Sequence, residues 1–318
     1  MNLYLETLVF TGQIVAPIFF ILFLGYFLLR LRIINENFVN TASKLVFTLT
    51  LPALVFLSIA RMDFHAMFNP HLLGYVLVST LITYGLIWWA GSVWIKVPED
   101  LASFIQGAFR SNYGIVGLAV SFNLFGQPGL AQASLVLALI IPLYNVLAII
   151  CLTLPLKRSD GVSLKQTFIE IARNPLILAV VFALPFSYFG TELPQLLSRT
   201  GDYFADLTLP LALLAIGGSL DLKSLRETSG SSFWATLIKL VLLPAILTPI
   251  AWLLGFEGQD LAILMVLFAS PTAAASFIMA KAMGANAKLA ANVVLTTTLG
   301  SVVTLSISIY LIRLLGVV

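Results

Sequence analysis

The chain has 318 residues, of which 60% are hydrophobic and only 10% charged, with a formal net charge of +3. A soluble domain carries roughly a quarter charged residues, so too few are present here to solvate a water-facing surface, and lipid must be the main solvent. The single cysteine, Cys151, excludes a disulfide framework and a thiolate metal site, and a mild positive charge is what the basic cytoplasmic loops of a membrane protein supply without any nucleic acid.

A helix needs about 20 mostly apolar residues to span a bilayer. Ten such segments are read in order: 8–31, 38–60, 72–95, 101–125, 130–156, 168–189, 203–220, 233–254, 261–283 and 289–315. The first lacks a basic start and is followed by many more, so it reads as a span and not as a cleaved leader. His65 and His71 share the short polar connection after the second, which reads as a wetted loop. The fourth span holds Phe109-Arg110-Ser111-Asn112-Tyr113-Gly114, with charge, amide and glycine together near mid-segment. Asn145 lies in the fifth. The longest polar connection follows, at mid-chain. Arg199, Asp202 and Asp206 precede or enter the seventh span, Lys239 sits in the eighth five residues before Pro244, and the ninth holds Phe268-Ala269-Ser270-Pro271-Thr272-Ala273-Ala274. Asn292 is in the tenth, where a helix-tying hydrogen bond is the commoner role.

Lys and Arg set the orientation. Eleven lie in the odd-numbered connections (Arg30, Arg32, Lys96, Lys157, Arg158, Lys165, Arg173, Lys223, Arg226, Lys281, Lys288), against three in the even ones and the termini (Arg61, Arg199, Arg313). The bias places the odd connections in the cytoplasm and both termini outside an inner membrane.

Leu49-Thr50-Leu51-Pro52 recurs as Leu207-Thr208-Leu209-Pro210, an offset of 158 in a chain of 318. Pro17 and Pro175, Trp94 and Trp252, and Gly126 and Gly284 keep that offset and are expected at equivalent places in their spans. The expected fold is therefore an all-α polytopic membrane protein of ten helices: a five-helix repeat at 1–156, a cytoplasmic linker at 157–167 and a second repeat at 168–318. An odd number of spans per repeat forces the halves into opposite orientations, as in many secondary transporters.

Pro271 lacks an N–H and breaks the ninth helix, while Asn112 and Gly114 tolerate non-helical backbone in the fourth. Paired interruptions in two halves point to a transport site, and half-helix N-termini favour an anion. The candidate substrate-binding residues are Arg110, Ser111, Asn112, Tyr113 and Gly114 from the fourth span with Ser270, Pro271, Thr272 and Ala273 from the ninth. Arg110 or Lys239 is expected to supply the charge that offsets the anion. Lys239 also fits a structural pair, Asn145 either bonds substrate or ties helices, and Asp206 either carries a coupling proton or pairs with a base. Lys44, six residues into its span, is expected to snorkel to the interface. No enzyme chemistry is expected, because neither histidine lies in a span.

Over nearly its whole length the chain resembles the auxin efflux carrier family, the bacterial PIN-like transporters. The matching elements are Lys44-Leu45-Val46 with Leu51-Pro52-Ala53-Leu54, Arg110-Ser111-Asn112-Tyr113-Gly114 with Gly117, Pro142 with Asn145, Asn174-Pro175, Pro210-Leu211-Ala212-Leu213 with Ile216-Gly217, Lys239-Leu240 with Pro244, and Ser270-Pro271. The resemblance implies a fold like that of bile-acid sodium symporters, in which broken helices four and nine cross. It implies a scaffold of helices 1, 2, 6 and 7, a transport domain of helices 3–5 and 8–10, a homodimer and elevator-like movement. It implies a small organic anion as substrate, carboxylates such as malate or malonate before auxin, and no cofactor; the coupling ion, proton or sodium, stays open. PIN proteins have prolines at both crossovers, whereas Asn112 stands near where the first would be here. A sodium-coupled symporter of the same fold and a membrane sensor that binds without transporting are the alternatives.

Overall fold

The computed structural model describes residues 3–156, 169, 173–222 and 229–316. Among these, every named element is a helix: α1 Leu3–Arg30, α2 Glu36–Ala60, α3 Pro70–Trp94, α4 Pro98–Phe109, α5 Tyr113–Thr153, α6 Pro175–Phe189, α7 Gln195–Gly218, α8 Gly230–Leu253, α9 Gly258–Ala269, α10 Ala275–Ala282 and α11 Ala287–Leu314, with one extra turn at Phe64–Met67. Six of them (α1, α2, α3, α5, α8 and α11) are long and apolar enough to cross a bilayer, and α6 and α9 are shorter apolar helices. Large apolar side chains such as Phe20, Trp89 and Phe189 face outward. The protein is an all-helical, polytopic membrane protein.

The helix starts follow from local chemistry. Asn35, Asn69, Asn174, Ser229 and Asn286 each accept a hydrogen bond from a first-turn N–H of the helix that follows, as capping residues do. Pro70, Pro98 and Pro175 occupy first-turn positions, where their missing N–H loses nothing. Deeper prolines have a different effect. Val46–Thr50 in α2 and Ile238–Leu242 in α8 are π turns, each ending two residues before a proline, Pro52 and Pro244. A proline cannot donate to the carbonyl four residues back, and the ladder widens to five-residue bonds just before it, Leu51 N–H to Val46 O and Leu243 N–H to Ile238 O. Gly126, at φ 63 and ψ −146, divides α5 into two helical segments.

Packing gathers the helices in two groups. In one, α1 lies on α7 and α2 packs on α6 and α7. The α1–α7 contact is backbone to backbone: a Cβ on Gly217 would stand 1.7 Å from the Leu22 carbonyl oxygen, and one on Gly25 would stand 2.1 Å from that of Leu214. Small residues bring helices together in lipid through such approaches. In the other group α4 packs on α3 and α11, α8 on α9 and α11, and α10 on α11. α5 touches both groups, and α11 also packs on α1.

Some expectations need correction. α7 begins at Gln195 and not at 203. Its polar first turns find partners, because Arg61 at the end of α2 forks onto Asp202 at 2.7 and 3.0 Å and bonds Ser198 Oγ at 2.5 Å. Pro17 and Pro175 do not occupy equivalent places: the first lies mid-α1 and the second opens α6. The other landmarks correspond. Pro52 and Pro210 sit about two-thirds along α2 and α7, Trp94 and Trp252 close α3 and α8, and Gly126 and Gly284 both have positive φ, 63 and 71, between a broken helix and its successor. The linker expected at 157–167 and the expected start of the sixth span at 168 lie outside the described residues.

Candidate functional site

α4 stops at Phe109 and α9 at Ala269, and in both the chain turns extended, Arg110 at φ −79, ψ 113 and Ser270 at φ −62, ψ 141. The two extended stretches pair antiparallel. Asn112 N–H donates to Pro271 O at 2.7 Å, Ala273 N–H donates to Arg110 O at 3.2 Å, and Ser111 faces Thr272 across this bridge. A proline at 112 would lack the first of these donors, so an asparagine at this crossover adds a backbone bond to the crossing. Helix then resumes on either side, with Tyr113 opening α5 in a π turn, Tyr113–Gly117, and Ala275 opening α10.

Breaking two helices inside a membrane protein frees carbonyls that lipid cannot satisfy. Each break caps the other. Ser111 Oγ donates to Leu267 O at 2.8 Å, and Thr272 Oγ1 donates to Gly107 O at 2.6 Å. Thr272 N–H, which would have bonded Phe268 O in an unbroken helix, donates to Thr297 Oγ1 of α11 at 3.0 Å. Lys239 Nζ of α8 takes its place at Phe268 O, at 2.8 Å.

The other side of the crossing opens into a cavity of about 1040 Å³. Its floor is Arg110–Ile115 with Ala273–Ala275. Its walls include Val46, Leu51, Ala212, Ile216, Ile140 and Tyr144, and Asn40, Ser43, Lys44, Ser219, Asp221, Lys281 and Lys288 lie on it as well. Arg110 is 8% exposed. Its guanidinium donates to Asn145 Oδ1 at 2.8 Å and to the thioether of Met279 at 2.9 Å. No carboxylate among the described residues pairs with it. Asn112 is 7% exposed, lines the cavity, and its carboxamide has no hydrogen-bond partner among the described residues. The amides of Tyr113, Gly114, Ala274 and Ala275 open helices on this floor, where free N–H groups carry partial positive charge.

Of the residues expected at the site, Arg110, Ser111, Asn112, Tyr113, Gly114 and Ala273 line the cavity together. Ser270, Pro271 and Thr272 lie behind it, buried in the crossing: their polar atoms tie backbone, with Ser270 Oγ on Val266 O. Asn145 holds Arg110 instead of lining the floor. Lys239 is not on the cavity wall, and Arg110 alone of the two expected cations faces it. Asp206 lines a separate pocket of about 240 Å³ with Pro17, Asn123 and Gln127. Asn292 ties α11 to Ser232 of α8. Lys44, expected only to snorkel, lines the cavity. Asn40, Ser43 and Lys44 repeat at the three- and four-residue spacing of one helix face, and that polar stripe was the available signal.

A family described as membrane transport protein matches residues 13–309. The chain is similar to the uncharacterized transporter YfdV of Escherichia coli (strain K12), 27% identical over 316 residues that cover 96% of this chain and 99% of that one. It is similar to a putative malonate transporter of Rhizobium meliloti (strain 1021), 27% identical over 313 residues, 94% and 95% of the two chains. An uncharacterized transporter of Methanocaldococcus jannaschii is 22% identical over 305 residues, 93% and 96% of the two.

Proposed function

The chain belongs to the membrane transport protein family, that of the auxin efflux carriers and their PIN-like relatives, and on that premise we propose that it is a secondary active transporter of small organic anions, with carboxylates foremost. It is a transporter and not an enzyme. The observation that carries the substrate class is Arg110, a buried guanidinium on the cavity wall whose acceptors are a neutral amide and a thioether. An unpaired cation inside a membrane costs several kcal/mol and marks a ligand or ion pathway. A planar carboxylate matches the guanidinium fork, and the Asn112 amide and the helix starts at Tyr113 and Ala275 add donors for it. The malonate in the name of the Rhizobium meliloti relative supports a short dicarboxylate as the first to try.

The path follows from the same lining. Ser43 and Lys44 lie early in α2, Ser219 and Asp221 follow α7, and Lys281 and Lys288 flank the α10–α11 connection. These are the ends joined by odd-numbered connections, which the Lys/Arg bias places in the cytoplasm. The cavity is then open inward, and the termini are outside. The paired breaks, the two positive-φ glycines and the matched Pro52 and Pro210 support ten spans in two inverted repeats, 1–156 and 168–318 joined by a linker at 157–167. Packing of α1 and α2 with α6 and α7 supports a scaffold, against which the remaining helices would move as an elevator-like transport domain. As in the family, the working unit is a homodimer in the inner membrane.

Purified protein is screened for thermal stabilisation by mono- and dicarboxylates, since a ligand stabilises the state it binds. Malonate should raise the unfolding temperature of wild type, and Arg110→Gln should need roughly thirtyfold more malonate for the same rise. Equal stabilisation of both proteins would place the anion elsewhere.

A further inference from the structure

The crossing is flanked by two buried cations, and only one of them meets the cavity. Lys239 lies on the dry side, 1% exposed. It sits in the π turn Ile238–Leu242 of α8, which packs against α4, α9 and α11. Among the described residues no carboxylate pairs with it, and its one acceptor is Phe268 O at 2.8 Å. That carbonyl belongs to the last turn of α9, where unsatisfied C=O groups carry partial negative charge. It is orphaned by the break itself, because Thr272 N–H is spent on Thr297.

Carbonyls freed at broken helices are where secondary transporters hold a coupling cation. Here the position is taken from within. The neighbouring Leu267 carbonyl and the Gly107 carbonyl of α4 are closed by the Ser111 and Thr272 hydroxyls. The Phe268 carbonyl is closed by an ammonium, a compact point charge on a flexible stem. We propose that Lys239 is a built-in cation, a positioning residue standing where a coupling metal ion would otherwise be needed, so that the crossing is held together and the anion is bound without sodium. This rests on the reading of the chain as a carrier of anions, and the experiment separates the two.

The experiment measures malonate uptake into proteoliposomes, and thermal unfolding of the purified protein, in sodium, potassium or choline chloride. Wild type should give the same uptake and unfolding temperature in all three. Lys239→Ala opens a vacancy beside the Phe268 carbonyl. Its uptake should fall by about tenfold or more in choline, since a buried carbonyl is left without a donor, and should recover several-fold with added sodium or methylammonium. Lys239→Met fills the space without the charge, so its uptake should fall likewise and no cation should restore it. Sodium dependence of wild type, normal uptake by Lys239→Met in choline, or a folded Lys239→Ala protein that no cation restores would each overturn the proposal. If Lys239→Ala is not recovered folded, the wild-type salt comparison and Lys239→Met decide. If malonate fails to act on wild type in any salt, the anion reading is at fault. The unfolding temperatures then decide this one: Lys239→Ala should be stabilised by sodium or methylammonium and wild type should not.

Discussion

Replacing Arg110 with Gln tests the site most directly, because stability and binding should move in opposite directions. The guanidinium is buried, has no carboxylate partner among the described residues, and donates only to Asn145 Oδ1 and the Met279 thioether. In the empty protein this is an uncompensated charge at membrane depth. Gln is neutral and keeps an N–H donor, so the substitution should leave the unfolding temperature of the empty protein unchanged or raised. With substrate present, a charge-assisted fork to a carboxylate is lost. Hydrogen bonds to charged groups contribute about 1.5–3 kcal/mol, so malonate affinity should fall about thirtyfold, corresponding to roughly 2 kcal/mol. Arg110→Lys keeps the charge without the planar fork and should fall in between. The assay is titration calorimetry on detergent-purified protein, with thermal unfolding of the same samples. A folded Arg110→Gln protein that binds malonate as wild type does would refute the assignment. So would one that loses binding only in step with lost stability, because Arg110 would then be structural.

Asn112→Leu fills the cavity floor and removes an unpartnered amide while keeping the N–H bonded to Pro271; transport should be abolished in a protein that still runs as a single species by gel filtration. Thr272→Val removes the donor to the buried Gly107 carbonyl. It should lower stability by about 1–3 kcal/mol, read by chemical or thermal unfolding, with malonate affinity little changed because Thr272 is behind the cavity. Replacing Lys44, Lys281 and Lys288 together with Gln should slow inward-side substrate association and flatten its salt dependence, as steering charges do, with a smaller change at equilibrium. Reporter fusions after Val318 and at Gly161 should report opposite sides of the membrane, and the same side at both would sink the inverted-repeat reading.

The breaks were legible because each breaks a local rule. Arg110 and Asn112 are polar in an apolar span, and Pro271 cannot continue a helix. What they do to one another was not legible. The Ser111–Thr272 bridge joins residues 161 apart in sequence, and no local pattern sets that register. Hydropathy gives depth in the membrane but not direction around a helix axis. Lys239 and Arg110 are therefore equivalent as sequence, yet one faces carbonyls on the dry side and the other the cavity. The same gap hid Lys44, whose depth suggested snorkelling while its neighbours Asn40 and Ser43 share its face of α2. α7 reads short in the sequence for a related reason: Asp202 counts against a span, and its partner Arg61 is 141 residues away.

The two sides of the crossing divide the consequences of one defect. Interrupting α4 and α9 leaves carbonyls at their C-termini and N–H groups at the N-termini of α5 and α10. Three of these carbonyls, those of Leu267, Gly107 and Phe268, are closed by Ser111, Thr272 and Lys239. The helix starts at Tyr113, Gly114, Ala274 and Ala275 line the cavity with Arg110 and Asn112. Had both sides been closed, the crossing would be a stable kink with nothing to offer a ligand. Had both been left open, the unsatisfied carbonyls would repel the anion that the amides attract, and a cation would have to enter with it. Closing carbonyls on one side while donors line the other gives a floor suited to the anion we propose as substrate.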